Sequence, residues 1–115
     1  MQESVSINGI EYISDSSLTS GEYGGAGSVG VANIRTIEAH AEDNGLEVEH
    51  CSYSDWGKWA AGSVVAAWRG SGRLPVDPPT APIVKLEGAY YSQSIFVRSD
   101  NEELREMVDS LESYP

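Results

Sequence analysis

A chain of 115 residues with eighteen acidic side chains against seven basic ones, net charge −11, repels nucleic acid and anionic membrane and attracts basic surfaces. Its 40% hydrophobic content still suffices for the core of a single domain, residues 1–115. No apolar run approaches the roughly 18 residues of a membrane span, the start MQESVSING lacks the marks of a signal peptide, and Cys51 alone forms no internal disulfide, so a small cytoplasmic protein is expected.

The acids are unevenly placed. Residues 1–50 carry Glu3, Glu11, Asp15, Glu22, Glu38, Glu42, Asp43, Glu47 and Glu49 against Arg35 alone, and the segment after residue 100 is again acidic against Arg105. Lys58, Arg69, Arg73, Lys85 and Arg98 hold the middle of the chain close to balance.

Asn8-Gly9 between two β-rich runs predicts a hairpin with strands at 3–7 and 10–14, because both residues tolerate the positive φ of a type I′ turn. Residues 15–30, rich in serine and glycine, read as a long loop. Val31, Ile34, Ile37 and Ala41 recur at helical spacing, so a helix is expected over 29–43, with Ser28 as N-cap and Gly45 as the stop. Glu42 and Asp43 fall in its last turn, where the macrodipole disfavours anions by about 0.3–1 kcal/mol each. Such placement is tolerated on a surface, and it is also what a surface kept acidic for a partner looks like.

Residues 46–53 alternate and read as a strand, with Leu46, Val48 and His50 on one face and Glu47, Glu49, Cys51 and Tyr53 on the other. Trp56, Trp59, Ala60, Ser63, Val64, Ala67 and Trp68 then form a helical stripe capped by Ser54 or Asp55. The opposite side of that helix, Ala61, Gly62, Val65 and Ala66, is also small and apolar, which suggests burial on two sides or self-association into a homo-oligomer. The proline-rich stretch 70–82 is a connector. Strands at 83–87 and 94–98 flank a turn that holds Tyr90 and Tyr91. A capping box Ser99-x-x-Glu102 opens a last helix with the stripe Leu104, Met107, Val108 and Leu111, leaving Glu102, Glu103, Glu106 and Asp109 solvated. The order ββ-α-β-α-ββ-α predicts an α+β fold: a mostly antiparallel or mixed sheet of about five strands with three helices.

Several constellations invite chemistry. Gly25-Ala26-Gly27-Ser28-Val29-Gly30 spells G-x-G-x-x-G, with Glu47 and Glu49 about 20 residues on. The dinucleotide fingerprint also needs a buried strand running into the first glycine, and Ser20–Gly24 intervenes. A broader reading keeps Tyr23, Gly25, Gly27 and Ser28 as a small-ligand or nucleotide loop at a helix N-terminus; the plainer one is a capped loop. His40, His50 and Cys51 match no zinc spacing, so no metal and no cofactor are expected; the plain reading has His40 facing solvent and His50 partly buried. No nucleophile elbow is present, and a small enzyme is the least supported alternative. Tyr90 and Tyr91, in a turn, are candidate partner anchors.

Two stretches resemble small acidic proteins of unknown function encoded by bacteriophages. One is Tyr23-Gly24-Gly25 with Ser28, Val31, Ala32, Asn33 and Arg35; the other is Ile95-Phe96-Val97-Arg98 with Asp100, Glu103-Leu104, Leu111-Glu112 and Tyr114-Pro115. The Trp-rich helix has no counterpart in them. The resemblance implies a phage accessory protein in a bacterial host cell and no catalytic activity. By analogy with anti-CRISPR and anti-restriction proteins, it implies an inhibitor of a host nucleic-acid-binding defence complex. Together with the charge, it makes Glu38, Glu42, Asp43, Glu47, Glu49, Tyr90 and Tyr91 the expected contacts to a basic host protein or nucleoprotein surface, without direct binding to nucleic acid or membrane.

Overall fold

Asn8 and Gly9 adopt φ of 52° and 84°. The turn they make joins β1 (Gln2–Ile7) to β2 (Ile10–Asp15) in unbroken register from Ile7↔Ile10 to Gln2↔Asp15. The computed structural model describes residues 2–15, 19–22, 29–60, 78–88 and 92–111. After the hairpin come β3 (Ser20–Glu22), α1 (Val29–Asn44), β4 (Val48–Ser52), α2 (Tyr53–Ala60), β5 (Ile83–Glu87), β6 (Ser92–Arg98) and α3 (Glu102–Asp109). The fold is α+β, with three helices and one mixed six-stranded sheet among the described residues.

The sheet runs β1-β2-β6-β5-β4, with β3 also on β6. β4 and β5 are parallel; the other pairs are antiparallel. β5 lines one side of β6, while β2 and β3 share the other, β2 at Val97 and Arg98 and β3 at Ser92 to Ser94. β3 lies inside the stretch expected to be loop. Ser-Gly-Glu has little strand propensity, and what holds it is tertiary. The Thr19 carbonyl accepts from the Ile95 N–H at 3.0 Å, and the Ser20 and Ser94 hydroxyls meet at 2.9 Å. The break between β2 and β3 is closed by fully buried Thr19. Its N–H and hydroxyl donate to the Asp15 carbonyl at 2.7 and 2.8 Å, and its hydroxyl also meets Ser14, which donates to the Ile95 carbonyl at 2.8 Å.

Alternation along β5 and β6 sends apolar side chains to both faces. On one face Ile83, Ile95, Val97 and Ile13 pack with Ile34, Ile37 and Ala41 of α1 and with Leu104 and Val108 of α3. On the other, Val84, Leu86, Phe96, Tyr12 and Ile7 pack with Trp56 and Trp59 of α2. Trp56 sits edge-on to Tyr12 (5.5 Å between centroids) and tilted on Phe96 (4.7 Å). α1 approaches β3 so closely that a Cβ at Gly30 would fall on the Ser20 carbonyl, so this glycine is required by packing.

Two expected helix caps are corrected. α2 starts at Tyr53, directly after β4, because the Ser52 hydroxyl accepts the Asp55 N–H at 3.1 Å, so neither Ser54 nor Asp55 is the cap. α3 is capped by Asn101, whose Oδ1 accepts the Leu104 N–H at 3.1 Å, in place of the capping box from Ser99. Ser99 is held as the chain leaves β6, donating its N–H to the Glu11 carbonyl at 3.0 Å. Gly45, at φ 65°, ends α1 as expected. The Trp-helix stripe beyond Ala60, and with it the side on which self-association was expected, lies outside the described residues, as do Tyr23, Gly25, Gly27, Ser28, Tyr90 and Tyr91.

Two substitutions separate packing from polar closure. Leu104→Ala removes a fully buried side chain and is expected to cost about 2–5 kcal/mol in urea denaturation. Thr19→Val keeps the shape but removes the hydroxyl that donates to the Asp15 carbonyl, accepts the Asp15 N–H at 3.1 Å and meets Ser14, and should cost about 1–3 kcal/mol.

Candidate partner-binding surface

The chain re-enters the sheet at residues 80–82, where three side chains hold its backbone. Glu49 Oε1 accepts the Thr80 and Ala81 N–H groups at 3.0 and 2.8 Å. Arg98 Nη1 donates to the Thr80 carbonyl at 2.9 Å, and the Tyr12 hydroxyl donates to the Ala81 carbonyl at 2.8 Å. Arg98 is itself fixed by a two-pronged pair with Asp100, at 3.0 and 2.7 Å, which holds the Asp100 carboxyl below the usual carboxylate range. Burial pushes the Tyr12 phenol up to about 12. Glu49, expected among the partner contacts, thus serves the fold. Glu38 is also paired internally, its carboxylate 3.2 Å from Lys85 Nζ.

Six exposed acids gather at the same end of the sheet. Glu42, Asp43 and Glu47 are exposed around the C-terminal end of α1, whose last turn holds no basic residue. Glu102, Glu103 and Glu106 are exposed at the start of α3. The two groups, far apart in sequence, are joined where His40 Nε2 comes within 3.3 Å of Glu103 Oε1. The negative end of the α1 dipole and its acids therefore lie beside the positive end of α3, which offsets part of their mutual cost. Expected to face solvent, His40 is instead largely covered, its side chain 18% accessible, because α3 packs beside α1. His50, expected partly buried, is open at 59%, because β4 is the last strand of the sheet among the described residues and α1 lies over β3 and β6.

The opposite end holds a different chemistry. β3, β4 and β5 run in one direction, since β3 and β5 are both antiparallel to β6 and β4 is parallel to β5. Their carboxyl ends meet the start of α1 and the start of α2. The segment Ser20–Glu22, which on paper separated a strand from the glycine-rich stretch, is itself a strand, so a strand does lead into that stretch and a helix does leave it. His50 Nδ1 and Glu87 Oε1 lie 2.6 Å apart at this end. Tyr53 shares a hydrogen bond of 2.7 Å with Ser94, its ring close against Gly88. Cys51, half-buried near Asp55 and Glu49, has its thiol pushed up to about 11, mainly by burial. Among the described residues no three His, Cys, Asp or Glu side chains gather to hold a metal ion, and no helix is long and apolar enough to cross a membrane.

The division between structural and free acids is measurable. Glu49→Ala strands two backbone N–H groups and should cost about 1–3 kcal/mol, whereas Glu47→Ala, on an exposed residue, should stay within about 0.5 kcal/mol. Tyr12 gives a pH test. A phenol raised from 10.0 to about 12 lends stability that is complete below pH 10 and is lost as pH rises through 12, because the unfolded chain gives up that proton first. Alkaline denaturation of wild type should therefore show a component in that window that is missing in Tyr12→Phe.

Compared with protein-family models, with curated proteins and with solved structures, the chain matches none.

Proposed function

We propose that this chain acts by binding. It is an acidic accessory protein of phage type that docks its carboxylate-rich end on the basic surface of a host nucleic-acid-binding defence complex and so inhibits it, in the manner of anti-CRISPR or anti-restriction proteins. The observation that carries this reading is the convergence of Glu42, Asp43 and Glu47 with Glu102, Glu103 and Glu106 across the His40–Glu103 contact. Glu38 and Glu49 support that surface from beneath by holding β5 and its entry. A second reading, a nucleotide or small-ligand binder using Tyr23, Gly25, Gly27 and Ser28, is favoured by the strand that precedes that stretch and by the shared carboxyl ends of β3, β4 and β5, where open sheets place ligands.

Capture from a bacterial host lysate, with a nucleotide thermal-shift screen on the same purified protein, separates the two. The first reading expects a protein partner whose affinity falls steeply between about 0.05 M and about 0.5 M salt, as screening removes long-range attraction. It also expects the joint change Glu42→Lys, Asp43→Lys, Glu47→Lys, Glu102→Lys and Glu103→Lys to abolish capture while circular dichroism is unchanged. Capture that ignores salt overturns it, and a raised Tm with a nucleotide, lost in Gly27→Ala, establishes the second.

A further inference from the structure

Among the described residues β4 has a free edge, with a geometry that the acidic end alone does not explain. β4 ends the sheet, so alternate residues of Val48–Ser52 turn their N–H and C=O groups away from β5 with no strand to receive them among the described residues. Natural edges are blunted by charged residues, above all lysine, by proline, by a bulge, by shortness or by a covering helix or loop. β4, VEHCS, is five residues long and carries Glu49 and His50 but no lysine or proline, and its register with β5 is unbroken from Val48↔Ile83 to Ser52↔Glu87.

The charges around this edge select its occupant. Exposed Glu47 immediately precedes β4, exposed Glu42 lies on the neighbouring end of α1, and Glu87 stands on β5 beside His50, while Glu49 within β4 is held by the Thr80 and Ala81 N–H groups. A second copy, itself at −11, would bring these carboxylates against their own kind, and an acidic strand would do the same. An extended strand with lysine or arginine at alternate positions meets the opposite condition: its backbone completes the ladder and its cations face the carboxylates. From the open edge together with this complementarity we infer that β4 takes up an extended basic segment of the partner as an added strand. This rests on the binding reading above and specifies how the partner is held.

The test uses the full chain and two end-blocked peptides alternating lysine and threonine, alike in length and charge, one carrying N-methyl groups on alternate backbone nitrogens so that it cannot pair. Strand addition expects the unmodified peptide to bind about tenfold or more tightly than its methylated twin, with alternate amides of residues 48–52 slowed in hydrogen exchange. Equal binding of the two peptides overturns strand addition and leaves the acidic-surface reading standing. Preferential binding with slowed exchange on β1 instead of β4 overturns the choice of edge. Binding of neither peptide at low salt counts against strand addition and the acidic surface together.

Discussion

The return of the chain to the start of β5 is the constraint on which the sheet depends. Parallel pairing of β4 and β5 requires the backbone to leave the sheet at Ser52 and re-enter it beside the other end of β4. The re-entry is fixed by groups from three strands: Glu49 from β4, Tyr12 from β2 and Arg98 from β6. Each uses a side chain whose own strand is already placed, so the clamp sets the registers of β2, β6, β5 and β4 relative to one another. A buried phenol, a half-buried carboxylate and a guanidinium braced by Asp100 divide the polar groups of two residues among them, and little backbone polarity at 80–81 is left unsatisfied.

With that register in place, β5 and β6 are covered on both sides. Their apolar residues alternate to face α1 and α3 on one side and the two tryptophans of α2 on the other. The two ends of the sheet differ in kind. One collects carboxylates at the meeting of α1 and α3. The other collects the carboxyl ends of three like-directed strands and the starts of two helices.

The acidic end also shows how an unfavourable local choice becomes tolerable. Glu42 and Asp43 oppose the dipole of their own helix. Beside them lies the first turn of α3, where acids and dipole agree, and His40 sits between the two helices with Glu103 at its ring nitrogen. Charge that is costly within one helix is thus partly balanced across the helix pair, and the surface stays acidic without being unstable.

The periodicities, the Asn8-Gly9 turn, the stop at Gly45 and the apolar stripes of α1 and α3 were all legible in the sequence, because each depends on residues within one or two turns of one another. So was the α+β class, which follows from their order. What the tertiary structure decided are the features that depend on distant partners. β3 exists because Thr19 and Ser20 meet β6. Ser52 replaces the expected cap of α2 because β4 runs on to it, and Asn101 replaces Ser99, whose N–H is held by the Glu11 carbonyl as the chain leaves β6. His40 and His50 exchange their expected environments because α3 covers one and the sheet ends at the other. Among the expected contact acids, Glu38 and Glu49 became part of the scaffold, while Glu102 and Glu103, expected only to be solvated, lie with Glu42 and Asp43. Local pattern tells which side chains can be charged, turned or buried; only the pairing of strands far apart in the chain sets which carboxylates hold the fold and which remain exposed.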